Sequence, residues 1–357
     1  MKIKTEDRQG VTRDESDRTR LLRALSALFF TSQILIGSLV ISAQAQASKM
    51  KLICQDSRLA VALAAGQPAD YEVAGRLCYK PNRKNIVHLL ISGATEGHAY
   101  WDFPLRPERY SYVRALTNTG YAAFNFDRIG IGESDHPPAD QVTIQSNAFV
   151  VHQVVQALRD GRLGTFAKVI LVGHSLGSGI AVVEAAQYSD VDGVILTGFL
   201  HAAGPGFASL GPIIYPANND PRFAGQSIPD GYLTTLPGTR SPIFWMPNLE
   251  PGIMETEEFF KETITTGELN TFPPLVFSPN NAQGIHVPVL IVIGQYDNIF
   301  CTPPQCSEAQ VEPTYYAPEA QVEVKIIPRE GHALNLHRNA PSVFATLLEW
   351  SDRRFGN

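Results

Sequence analysis

At 357 residues, with 44% apolar and 18% charged side chains, the chain can bury a full core as one large domain or a domain with an insertion, which excludes a disordered protein. A net charge of −6, a pI near 5.9 and the lack of any Lys/Arg block after the first two dozen residues argue against a nucleic-acid surface. Small molecules are the expected partners.

The chain begins with a polar, slightly basic stretch. The apolar run from Ala24 to Ile41 follows, and then SAQAQAS with two overlapping A-x-A sites. This order reads as an export signal over residues 1–47, cleaved after Ala45 or Ala47. The competing reading is an uncleaved anchor, since a spanning helix needs roughly 17–25 apolar residues. A membrane is a partner only in that case, and either way the rest of the chain is expected to be secreted or otherwise extracytoplasmic. Four cysteines suit an oxidising compartment and allow three pairings; Cys54 with Cys78 and Cys301 with Cys306 is the favoured one. Buried free thiols are the alternative. CTPPQC has no second ligand pair at metal-site spacing, so no zinc is expected there.

Next in order, YEVAGRLCYK reads as a strand and NIVHLLIS as a buried one. A loop leads to PERYSYVRALTNTG, a helix opened by Pro107 and stopped by Gly120. The strand YAAFNFD runs into the turn-rich RIGIGESDHPP. A helix follows over QSNAFVVHQVVQALRDG, with Phe149, Val150, Val154 and Leu158 on one face. Then come the strand AKVILVG, a turn at Ser175, the helix LGSGIAVVEAAQYS, and the strands DGVILTGFL, VPVLIVIG and AQVEVKIIP before a final helix PSVFATLLEWSDRRF. Strands alternating with helices predict an α/β fold, a mainly parallel, doubly wound sheet with helices on both faces.

The gap between VILTGFL and VPVLIVIG is too long for a structureless connection. Residues 201–284 are therefore expected to form a cap inserted between the two parts of a core, 48–200 and 285–357. The cap is rich in Pro, Gly and aromatics, including Phe244 and Trp245, and only METEEFFKETITT in it reads as helix.

Gly173-His174-Ser175-Leu176-Gly177 fits G-x-S-x-G between a strand and a helix. A sharp turn there lifts the serine hydroxyl clear of the sheet and puts the Leu176 N–H at a helix N-terminus, where unpaired donors favour an oxyanion. A turn needing small residues would look the same. A serine nucleophile also needs a base oriented by a carboxylate. Asp297, in GQYD beyond a strand, and His332, in EGHALNLH beyond the next, stand in the order Ser, acid, His. His337 is the nearest rival base, and no acidic residue stands near the end of VILTGFL to rival Asp297.

With these motifs and DRIGIGESD, whose Asp127, Gly130, Gly132 and Ser134 fit D-x-x-G-x-G-x-S, the chain after about residue 70 resembles the α/β-hydrolase superfamily. The resemblance implies Ser175 as nucleophile, His332 as general base and then acid, and Asp297 as the group that holds the imidazole tautomer. It places a second oxyanion donor in the loop after NIVHLLIS, where relatives commonly begin His-Gly. Here the loop is Ser92-Gly93-Ala94-Thr95, so Ala94 N–H joins Leu176 N–H as the expected pair, with Thr95 as fallback. Asp127 is expected to organise its loop.

These readings converge on an exported serine hydrolase cleaving apolar or aryl-containing carboxylic esters, with no cofactor. Trp101, His174, Phe244 and Trp245 are the expected substrate contacts. Lactone, thioester or acyl-transfer chemistry would use the same triad, and a binding protein on a hydrolase scaffold is the reading from another class.

Overall fold

The structure, a computed structural model, describes residues 50–244 and 249–356; the expected export signal and Trp245 lie outside them. In chain order the sheet strands are β1 (Ile53–Val61), β2 (Tyr71–Tyr79), β3 (Ile86–Ile91), β4 (Ala122–Phe126), β5 (Lys168–His174) and β6 (Gly193–Thr197). Between them lie helices α1 (Tyr112–Asn118), α2 (Ile144–Asp160) and α3 (Leu176–Tyr188). An inserted segment carries β7 (Ile214–Pro216), β8 (Tyr232–Thr235), α4 (Arg240–Phe244), α5 (Ile253–Phe259), β9 (Ile264–Thr265) and α6 (Thr266–Val276). The chain then returns through β10 (Val289–Gly294), β11 (Glu323–Ile327) and α7 (Ala340–Phe355).

The main sheet has the order β1-β2-β4-β3-β5-β6-β10-β11 and is parallel from β4 to β11, with β1 and β2 antiparallel at one edge. Its centre follows from sequence. β3, β5, β6 and β10 are near-continuous apolar runs because helices cover both faces, and all six residues of β3 and of β10 are buried. α2 packs on α3 and α1 on α7. Thr143 caps α2 reciprocally with Ser146, and Gly161 ends it at φ 97°. This is the expected fold class, a mainly parallel, doubly wound sheet with an insertion.

Three local expectations need correction. The helix from Pro107 breaks at Ser111, whose extended backbone pairs with Asp102 while its hydroxyl caps the Arg114 N–H of α1. Within METEEFFKETITT the helix ends at Phe259. The β-branched run after it extends into β9, drawn there by Glu262 N–H on Thr95 O (2.9 Å) and Thr263 Oγ1 on Gly130 O (2.9 Å). β1 has no counterpart among the expected strands, since most of its side chains alternate toward solvent on the sheet edge. It carries Cys54 directly opposite Cys78 of β2, and the two are disulfide-bonded, as are Cys301 and Cys306.

No helix among the described residues is long and apolar enough to cross a membrane.

Candidate active site

Ser175 joins β5 to α3 at φ 51° and ψ −118°, backbone angles that most side chains avoid. Its N–H bonds Thr197 O at 2.9 Å, and its carbonyl accepts from Ser178 N–H at 2.9 Å, so both strand and helix fix the turn. Close packing explains the flanking glycines. A Cβ on Gly173 would stand 2.6 Å from Gly177 O, and one on Gly177 would stand 2.3 Å from Ile91 O. The small residues and the half-buried serine are therefore one requirement: the turn is tight because helix and strand press on it.

Asp297 follows β10 and is fully buried. Its Oδ1 accepts the N–H groups of Ile299 (3.1 Å) and Phe300 (3.3 Å), and its Oδ2 lies 2.8 Å from His332 Nδ1. A carboxylate only accepts, so in this pair His332 Nδ1 is the donor and Nε2 is the ring nitrogen turned away from Asp297. The imidazole is held between two rings, Phe244 from α4 and Phe300 from the acid loop, each centroid 5.7 Å away and inclined by 16° and 24°. The backbone N–H of His332 also bonds Phe244 O at 3.1 Å. His337 is fully buried beside Glu330, and burial holds it neutral, pushing its pKa down to about 4.

Ser175, Leu176, Ala94 and Thr95 open together onto a cavity of about 400 Å³. Its walls come from the insertion and the acid loop, among them Phe207, Ile213, Leu233, Phe244, Phe272 and Phe300, and among the described residues none that lines it carries a charge. Of the four expected substrate contacts, Phe244 lines this cavity. Trp101 and His174 do not. Trp101 is buried against Tyr100 and Tyr112, with ring centroids 5.1 and 5.6 Å away. His174 turns from the end of β5 into the core and stacks on Tyr100 at 4.3 Å, its Nδ1 3.1 Å from Thr197 Oγ1. Burial, with His332 4.8 Å away ring to ring, pushes the His174 pKa far down. A neutral His174 does not oppose charge on its neighbour.

The Gly93–Thr95 loop is held from a distance, by residues whose types gave no warning. Buried Arg128, an unassigned position of DRIGIGESD, donates to Ser92 O (3.2 Å) and Gly93 O (3.1 Å) and pairs with Glu268 of α6. Buried Arg240 of α4 pairs with Glu257 of α5 and donates to Thr95 Oγ1 at 2.6 Å, which in turn donates to Ala94 O at 2.6 Å. Thr95 is itself at φ 56°. The Gly93 N–H donates to Glu96 Oε2 at 3.2 Å, and burial pushes the Glu96 pKa up to about 8. The one available signal was charge within apolar surroundings, which needs a partner, but sequence does not say which. Asp127 organises its loop as expected, accepting from the N–H groups of His98 (2.9 Å) and Glu133 (3.0 Å), while Ser134 Oγ donates to Asp127 O at 2.6 Å.

A profile of the alpha/beta hydrolase family matches residues 89–346, and the chain belongs to that family. No curated protein matches it. Among solved structures, a thermophilic esterase from Thermogutta terrifontis is similar at 18% identity and TM-score 0.57, covering 84% of this chain and 98% of its own. The monoglyceride lipase of Saccharomyces cerevisiae is similar at 16% identity and TM-score 0.57, over 83% and 96%. An epoxide hydrolase from Vigna radiata is similar at 14% and TM-score 0.56, over 84% and 98%. At these identities the likeness is one of fold.

Proposed function

We propose that the chain is an exported serine hydrolase that cleaves neutral carboxylic esters with apolar or aryl-containing groups through an acyl-enzyme on Ser175. The observation that carries this reading is the meeting of a strained serine turn and a charge-free cavity at the strand ends that also bear the His332–Asp297 pair. In the first half-reaction Ser175 Oγ attacks the ester carbonyl carbon and gives its proton to His332 Nε2, with Asp297 stabilising the imidazolium. The negative oxygen of the tetrahedral intermediate accepts the N–H groups of Leu176 and Ala94. Its C–O bond breaks as His332 protonates the leaving alcohol. Water then loses a proton to His332, attacks the acyl carbon, and releases the acid with Ser175 reprotonated.

An aspartate at the elbow position is what epoxide opening would require, and serine stands there. Residues 1–47 are read as the signal that exports the chain, and 201–284 as the cap that selects substrate. Two disulfides fit that destination.

The test is hydrolysis of p-nitrophenyl esters of graded chain length by wild type and Ser175→Ala. We expect activity on apolar acyl groups, falling by about 10⁴–10⁶-fold in the variant. Undiminished turnover by Ser175→Ala overturns the mechanism, and a folded wild type that neither turns over esters nor takes a fluorophosphonate label supports the binding-protein reading instead.

A further inference from the structure

Away from the cavity, α2 and α3 bring together three side chains that the proposed chemistry does not use. They are His152 of α2, Glu184 of α3 and Asp190 in the turn after α3, and one ligand atom from each lies within 4.8 Å of the others. Glu184 is fully buried, and among the described residues no N–H or O–H donor reaches either of its oxygens, whose near polar neighbour is the carboxyl of Asp190. Asp190 Oδ1 is buried as well and likewise meets no such donor. Two adjacent carboxyls in such a place need either a shared proton or a cation.

We propose that His152, Glu184 and Asp190 form a binding site for a divalent transition ion of the zinc type, which would tie α2 to α3. The donor set, one imidazole and two carboxylates, suits such an ion. A shared proton would satisfy the carboxyls without recruiting an imidazole. Here the His152 Nδ1 stands 2.8 Å from Asp190 Oδ2. Ligands roughly 2.0–2.1 Å from a tetrahedral ion stand about 3.3 Å from one another. A set spanning no more than 4.8 Å therefore closes around one by small side-chain rotations.

The surroundings hold the donors in place, as outer partners do in metal sites. Gln156 Nε2 donates to Asp190 Oδ2 at 2.6 Å, and Arg159 fixes the Asp190 carbonyl through Nε (3.1 Å) and Nη2 (2.7 Å). The Tyr188 ring stacks on His152 at 4.1 Å. His152 and Asp190 are half-buried, which leaves an entry path from solvent. Glu184 lies roughly 13 Å along the helix axis from Ser175 at the α-helical rise, so the ion would act on stability rather than on the ester.

The experiment is calorimetric titration of the EDTA-treated, dialysed full chain with ZnCl₂, together with melting curves, for wild type, Glu184→Gln and His152→Gln. Its readouts are independent of the catalytic reading above. We expect one ion per wild-type chain, a Tm rise of about 3–5 °C at a hundredfold excess over Kd, and loss of both responses in each variant. Glu184→Gln keeps the side-chain volume and can donate to Asp190; far-UV circular dichroism verifies folding, and His152→Gln gives the same test without touching the buried carboxyl. No binding by wild type overturns the site and leaves a shared proton as the account of Glu184. Equal binding by wild type and both variants also overturns it, since the ion is then held elsewhere.

Discussion

The main sheet and the insertion between β6 and β10 are stabilised in different ways. The sheet is an apolar solid: β3, β5, β6 and β10 are buried along their length, and their order follows from packing alone. The insertion has one short three-stranded sheet, helices of a few turns, and buried ion pairs, Arg240 with Glu257 and Lys261 with Asp220 inside it and Arg128 with Glu268 across to the core. The candidate nucleophile, acid and base stand on loops at the ends of the first region's strands. The loop expected to supply the second oxyanion donor is braced by the second. In this chain, the candidate reacting groups stand at the ends of strands set by hydrophobic packing, and the loop beside them is braced by charges brought from far along the sequence.

The contrast can be broken most directly with a matched pair of substitutions. Arg240→Met leaves the Glu257 carboxyl buried without its partner and is expected to cost about 3–5 kcal/mol in chemical denaturation. It should also lower kcat for ester hydrolysis in the molecules that stay folded, because Thr95 loses its donor. Leu347→Ala, in the fully buried face of α7, should cost a comparable amount of about 2–5 kcal/mol with kcat unchanged. Equal effects on kcat per folded molecule would erase the distinction.

Next in size, Cys54→Ser with Cys78→Ser removes a cross-link spanning 24 residues at the sheet edge. A loss of about 3 kcal/mol is expected from loop entropy, with kcat unaltered. Denaturation under non-reducing conditions measures the first and steady-state assays the second.

The last prediction concerns pH. Glu96 holds its proton in the folded protein up to about pH 8, whereas the unfolded chain releases it near the ordinary value of 4.5. Its contribution to stability therefore falls as pH rises across that window. Glu96→Gln should flatten the decline in Tm between pH 5 and 8. An unchanged slope would mean that Glu96 ionises normally.

How much of this was legible in sequence follows the same division. VILVGHSLG and VLIVIGQYD announce their strands because a strand buried on both faces has no polar alternation to blur it. They also carry Ser175 and Asp297 at their ends, so the strand reading and the candidate residues came together. β1 was invisible for the opposite reason, with most of its residues in water. METEEFFKETITT misled because its first half is helical, while Thr263 to Thr266 is stabilised by contacts to a distant loop. Trp101 and His174 stand near the motifs in sequence, yet side-chain direction puts both into the core. Arg128 and Arg240 signal only a charge in apolar surroundings, because the meaning of a buried cation lies in a carboxylate elsewhere in the chain.

The seating of His332 between Phe244 and Phe300 has a further consequence. One of these rings belongs to the same loop as Asp297, but the other comes from α4 of the insertion, which also receives the His332 N–H. Any swing of α4 wide enough to admit a bulky ester would strip one wall from the imidazole. Under the proposed mechanism, an outward shift of α4 would then leave the base unaligned, and proton transfer would require Phe244 back in place.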